Sequence, residues 1–240
     1  MAEKSTGNCY ICGATLGKTA VKNHLLKHYE ADEDGKACSL LKIEGTDDKQ
    51  YWLYIDVPTD RTLKYVDEFL RKIWLECCEH MSEFIRSNHD ELGMNQKIGS
   101  FPAGDTFSHH YDFGSTTETT ITVIGSVMRK PQRGIVRLLA RNTPPVFQCR
   151  DCGEPADFIY AEPDDDNQFP FYCTECSEKI DEDSNYLLYP VTNSPRMGVC
   201  GYEGEDDDRY TFDPVTISYR QELAQKSASS KGRKKDGEPV

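Results

Sequence analysis

The sequence contains no run approaching the roughly 20 consecutive apolar residues of a membrane helix. Its first residues, Met1-Ala-Glu-Lys-Ser-Thr-Gly7, lack the apolar stretch of a secretory signal. Both absences point to a cytoplasmic protein with no membrane partner. Positive charge is in deficit: 28 Lys and Arg face 41 Asp and Glu, for a formal net charge of −13. Such a surface repels phosphate, which disfavours nonspecific nucleic-acid binding unless basic residues are segregated. There is no phosphate-binding loop, no Gly-x-Ser-x-Gly elbow and no Cys/His nucleophile signature. Asp112-Phe-Gly114 matches the magnesium-binding tripeptide of protein kinases, but without the Gly-rich and His-Arg-Asp loops it is a chance match.

Cysteine, by contrast, is plentiful, and six of the ten fall in Cys-x-x-Cys pairs. With no export signal, this usage favours thiolate–metal chemistry in a reducing compartment over disulfides. Cys149-Arg-Asp-Cys152, twenty residues, then Cys173-Thr-Glu-Cys176 is the spacing of a four-Cys zinc ribbon. Four protein ligands leave no open position, so the site is structural. Cys9-Tyr-Ile-Cys12, eleven residues, then His24-Leu-Leu-Lys-His28 reads as a two-Cys, two-His finger, because histidines four apart share a helix face. Two structural zinc ions are the cofactors expected. Cys38, Cys77, Cys78 and Cys200 are left over. Cys77 and Cys78 read as buried small hydrophobes on a helix, and Cys200 falls in a loop dense in turn formers, Asn193 to Gly201, as a candidate exposed thiol.

Between the two zinc motifs the pattern predicts an α+β fold: an antiparallel sheet with one main packed helix, flanked by small zinc modules. Cys38–Glu44 and Gln50–Val57 read as a hairpin around the turn Gly45-Thr-Asp-Asp-Lys49. Asp60 is a candidate cap for a helix whose apolar stripe is Leu63, Val66, Phe69, Leu70, Ile73, Trp74 and Cys77. His80–Arg86, Thr106–Phe113, Thr119–Met128 and Gly134–Arg141 are further strands, Lys97-Ile98 a short edge strand, and Asn185–Pro190 one more. In Thr106–Phe113 the alternation sets Phe107, His109, Tyr111 and Phe113 on one face, and Ser108, His110 and Asp112 on the other. The expected units are a finger over 1–30, an α+β domain over 37–142, a ribbon module over 143–216 and a disordered tail over 217–240. A charged linker, Tyr29 to Lys36, separates the first two.

Tyr51-Trp-Leu-Tyr-Ile55, the Thr62 to Leu70 helix, Cys78-Glu-His-Met-Ser-Glu-Phe84 and Phe107-Ser-His-His-Tyr-Asp-Phe-Gly114 occur in the order of a known family. Over about residues 38 to 142 the chain resembles the plasmid open-reading-frame-three-like family, first named from an Agrobacterium-type root-inducing plasmid. The resemblance implies an α+β domain with an antiparallel sheet and implies no particular reaction. Where that family continues Tyr-Asp-Phe-Gly with an acidic residue and a tryptophan, this chain has Ser115-Thr-Thr-Glu118.

Taken together, the sequence points to a non-enzymatic intracellular zinc protein acting through a protein partner, in interaction or regulation. Two alternatives have residues of their own. Lys18, Lys22 and Lys27 on the finger, with Arg129, Lys130, Arg133, Arg137 and Arg141 further on, are two basic segments through which it could meet nucleic acid or a ribosome. A metal-dependent hydrolase would instead use His110 and Asp112, on one strand face, with His80 or Glu118 brought alongside.

Overall fold

Alternation inside one strand explains the architecture. In Trp52–Pro58 every residue is buried. Leu53, Ile55 and Val57 enter one apolar cluster, while Trp52 and Tyr54 enter another on the opposite side. Successive side chains of a strand point to opposite faces, so this strand is covered on both. The computed structural model describes residues 5–29, 35–130, 134–164, 168–180, 187–205 and 210–218. Its elements are β1 (Thr6–Cys9), β2 (Thr15–Gly17), α1 (Val21–Lys27), β3 (Lys36–Gly45), β4 (Trp52–Pro58) and α2 (Leu63–Leu70). They continue with β5 (Ser82–Ile85), β6 (Glu91–Leu92), β7 (Thr106–Tyr111), β8 (Thr117–Arg129), β9 (Arg137–Asn142), β10 (Phe158–Tyr160), β11 (Phe171–Tyr172), α3 (Thr174–Ser177) and β12 (Leu188–Pro190).

The main sheet has nine strands in the order β2-β1-β9-β4-β3-β8-β7-β5-β6, and every pairing in it is antiparallel. A three-stranded sheet, β11-β10-β12, belongs to the ribbon. This is the expected α+β class. Helix α2 runs on into a π-helical turn, Arg71–Leu75, and together they bury Leu63, Val66, Phe69, Leu70, Ile73 and Trp74 against one face of the sheet. The opposite face is covered by the finger: Val21 and Leu25 of α1 are fully buried with Cys38, Leu40, Trp52, Tyr54 and Leu139. Each such aliphatic side chain contributes about 1.5–3 kcal/mol on burial.

The finger expected as a separate unit over 1–30 is therefore continuous with the sheet, because β1 pairs with β9 through Gly7↔Asn142 and Cys9↔Ala140. Gly7 permits that approach: a Cβ there would stand 2.4 Å from both the Trp52 ring and the Arg141 carbonyl oxygen. Tyr29, placed by sequence in a linker, is buried in the same cluster; residues 30–34 of that linker lie outside the described residues, as does the expected tail from 219 onward.

Other local expectations shift. Thr62, not Asp60, occupies the α2 N-cap, without a side-chain capping bond; Asp60 pairs with Lys36 at 3.1 Å instead. Helical structure ends at Leu75, so Cys77 and Cys78 are not helical, and they are half-buried and exposed rather than buried. Of the expected edge strand Lys97-Ile98, only an isolated antiparallel bridge from Lys97 to Thr62 forms; a 3-10 turn, Ile98–Ser100, follows it. Phe107, His109 and Tyr111 do face the core, but Asp112 adopts φ 66°. The chain turns there, leaving Phe113 exposed and Asp112 buried.

Candidate metal centres

Two Cys-x-x-Cys-Gly segments fold into the same turn. In the first, Cys9 N–H donates to Ala14 O at 2.9 Å and Gly13 N–H to Cys9 O at 2.8 Å. In the second, Cys149 N–H donates to Glu154 O at 2.7 Å and Gly153 N–H to Cys149 O at 2.9 Å. Gly13 and Gly153 take φ 79° and 78°, a left-handed conformation that glycine adopts without steric cost. The turn aims both thiols of each pair to one side.

In the finger, α1 and the residue after it supply the other ligands. Cys12 Sγ lies 3.2 Å from His24 Nε2, Cys9 Sγ lies 3.6 Å from His28 Nε2, and the two Nε2 atoms are 3.1 Å apart. Tetrahedral zinc, with Zn–S about 2.3 Å and Zn–N about 2.0–2.1 Å, requires edges of about 3.5 Å for S to N and about 3.3 Å for N to N. The observed separations match. An ordinary hydrogen bond accounts for one such contact, but His24 Nε2 has close contacts to both Cys12 and His28 and can carry only one proton. Burial pushes the Cys9 thiol up to about 11, and burial, His24 and Arg137 lower His28, in the direction that favours the neutral imidazole a metal ligand needs.

The ribbon cluster joins its turn to α3. Cys173 precedes that short helix, where Asp157 Oδ2 accepts from Thr174 N at 2.9 Å and from Thr174 Oγ1 at 2.7 Å. Cys152 Sγ and Cys173 Sγ stand 3.6 Å apart, near the roughly 3.8 Å edge of a zinc tetrathiolate. Burial opposes ionisation of Cys149, yet backbone hydrogen bonds from Cys173, Cys152 and Asp151 outweigh it and draw its pKa down to about 6. Burial and the surrounding thiols push Cys176 up to about 12. Four thiols side by side resist joint ionisation, and a divalent cation removes that conflict. In each of these clusters, as in a third made of Cys77, Cys78, His80 and Cys200, one ligand atom per residue lies within 4.8 Å of the others. All three clusters could hold a metal ion. Sequence spacing missed the third because Cys200 is 120 residues from His80; its one signal was the run Cys77-Cys78-Glu-His80.

The basic segments do not form an exposed stripe. Arg129 Nη1 donates to Asp56 Oδ1 at 2.6 Å, and Arg137 Nε to Asp56 Oδ2 at 3.0 Å. Arg141 pairs with Glu205 and is buried, as is Arg129. Lys130 is exposed, and Arg133 lies outside the described residues. On the finger, Lys18 is drawn to Glu44 at 2.6 Å, whereas Lys22 and Lys27 remain exposed.

The hydrolase grouping is split into two pairs: His80 Nε2 lies 3.6 Å from Asp112 Oδ2, and His110 stands apart from them beside Glu118. His110 faces the carboxylates of its neighbouring strands, Nδ1 at 3.7 Å from Glu83 and Nε2 at 3.6 Å from Glu118. Asp112 turns the other way to Arg196 Nη2 at 2.7 Å, and that guanidinium holds its pKa down to about 2. His80 joins the three cysteines. On the buried side, His109 Nε2 meets Asp67 Oδ1 at 2.8 Å, and Asp67 also accepts from Ser82 and Arg71.

No protein-family model matches the chain, and no curated protein matches it. Among solved structures, it is similar to the crystal structure of a protein of unknown function, MM3350 from Methanosarcina mazei Go1. The two share 14% identity over 56% of this chain and 76% of that one, with a TM-score of 0.39. Among the described residues, no helix is long and apolar enough to cross a membrane.

Proposed function

We propose that this chain is a zinc-stapled cytoplasmic interaction protein without a catalytic role, built on a plasmid open-reading-frame-three-like domain. The motifs that suggested that domain lie, in chain order, on or beside β4, α2, β5 and β7. One observation carries the reading: the finger and ribbon each gather four ligand atoms, the number that closes tetrahedral zinc and leaves no position for a reacting water. Zinc there is a staple. The ribbon then presents exposed carboxylates, among them Asp151, Glu154, Glu162, Glu175 and Glu178, and suits a partner with a basic protein surface.

The nucleic-acid alternative retains the exposed Lys22 and Lys27 but loses Arg129, Arg137 and Arg141 to internal ion pairs. Affinity capture from the native cell, with and without nuclease, separates the two. The interaction reading expects a nuclease-resistant protein partner lost on Glu162→Lys, Glu175→Lys, Glu178→Lys together. Retention of RNA or DNA alone, lost on Lys22→Glu with Lys27→Glu, would overturn it.

A further inference from the structure

Cys77, Cys78 and His80 follow the π-helical turn at the end of α2, and Cys200 reaches them from the segment beyond the ribbon. Cys200 Sγ lies 3.3 Å from His80 Nε2, close to the roughly 3.5 Å thiolate–imidazole edge of tetrahedral zinc. All four ligand atoms lie within 4.8 Å of one another. We propose that Cys77, Cys78, His80 and Cys200 form a third, closed zinc site that fastens the 193–205 segment to the central domain.

Three independent features converge on this cluster. The first is charge. Three thiolates with one divalent ion leave a single negative charge, and Arg196 Nη2 donates to Cys77 Sγ at 3.4 Å. That guanidinium is fully buried, fixed by Asp112 and by Thr117 Oγ1 at 3.0 Å, and lies over the Tyr111 ring at 4.8 Å. A fixed cation hydrogen-bonded to a sulfur would orient that ligand and offset the residual negative charge, as outer-shell partners of metal ligands do.

The second is strain. Four non-glycine residues among the described residues have left-handed φ, and three of them are here: Glu79 at 58°, Asp112 at 66° and Cys200 at 52°. Such conformations persist where surrounding bonds over-determine them. Glu79 lies between two ligands, Cys200 is a ligand, and Asp112 Oδ2 is 3.6 Å from His80 Nε2.

The third is connection. The segment bearing Cys200 is already seated on the helix end, with Ser194 Oγ donating to Trp74 O at 2.6 Å and Tyr202 OH to Ile73 O at 3.4 Å. Coordination completes that seating with a bond between positions 120 residues apart, so the site joins the ribbon's continuation to the sheet. A disulfide between Cys78 and Cys200 would serve the same tether but would not account for Cys77 Sγ and a ring nitrogen of His80 gathering at the same point.

Native mass spectrometry of the full chain, paired with a thiol count after denaturation in chelator, tests the proposal. The expected result is three zinc ions and ten free thiols. Cys200→Ser and, separately, Cys78→Ser should each hold two zinc ions, with protease sensitivity gained in the 193–205 segment. His80→Cys, which keeps four ligands, should hold three. Because Cys78→Ser leaves every contact of Ser194 and Arg196 in place, loss of the ion there does not require loss of the fold. Two zinc ions with ten thiols in the native chain would overturn the site. Eight thiols would overturn it in favour of the disulfide, and three ions retained in both serine variants would place the third ion elsewhere.

Discussion

The Tyr29 hydroxyl donates a 2.6 Å hydrogen bond to Asp56 Oδ2, tying the residue just after the finger's last histidine to β4, an inner strand of the sheet. Arg129 and Arg137 bind the same carboxylate. The finger is thereby fixed at both ends, by β1 against β9 and by Tyr29 against β4.

Asp56 is fully buried, and removing it takes away the carboxylate that both guanidinium groups bind. Asp56→Ala should cost about 3–5 kcal/mol, the usual loss when half of a buried ion pair is deleted. Tyr29→Phe deletes two hydrogen bonds, the one given to Asp56 and the one accepted from Arg137 Nη2 at 2.8 Å, and leaves both ion pairs, at about 1–3 kcal/mol. Urea midpoints at unchanged slope measure both, and equal losses would mean that the Arg–Asp pairs contribute nothing separate.

Gly7→Val should unseat the finger from the sheet, because a side chain there collides with the Trp52 ring and with backbone. Trp52, fully buried at that contact, then meets water and its emission shifts to longer wavelength. Zinc content should be nearly unchanged, since Gly7 is not a ligand. A variant with native emission would show that β1 is not held against β9.

Cys152→Ser should unfold the ribbon while sparing the nine-stranded sheet. Structural zinc supplies about 10–16 kcal/mol of apparent folding energy in finger peptides, and the three short ribbon strands offer little core to replace it. Proteolysis should cut within 147–180 and spare 35–130. Cys9→Ser should differ: Cys9 is fully buried in the cluster behind β4, so losing that ion weakens the sheet as well.

His109 supplies the pH dependence. Burial lowers its pKa below the ordinary 6.5, against the opposing pull of Asp67. Nε2 contacts Asp67 while buried Nδ1 has no hydrogen-bond partner, which fits the neutral tautomer with its proton on Nε2. Unfolded His109 binds protons that the folded side chain refuses, so stability is full above pH 6.5 and falls as the pH drops below it. His109→Gln should flatten the difference between pH 7 and pH 5.5 relative to the native chain. An unchanged slope would assign that limb to other groups, such as His28, which burial and its charged neighbours lower as well.

What was legible in the sequence was local. The β3–β4 hairpin, the apolar stripe of α2 and the alternation of β7 announced themselves because each periodicity is written in contiguous residues. The finger and ribbon clusters, which could each hold a metal ion, were legible for the same reason, as short spacings with a geometric meaning. Hidden were relations that depend on pairing distant segments. Nothing near Arg129 and Arg137 indicates that Asp56, some seventy to eighty residues earlier, neutralises both, so they looked like free surface charge. Cys77 fitted the α2 stripe by spacing, but the π-helical turn ends at Leu75 and releases it. The union of finger and sheet follows from β1–β9 pairing, which local periodicity does not encode.

Metal stoichiometry on single-ligand variants tests the central claim most directly. Native mass spectrometry of the full chain should find finger and ribbon zinc ions, with one lost in Cys12→Ser and one in Cys152→Ser. A zinc-free chain that keeps its native far-ultraviolet spectrum and protease resistance would contradict the account.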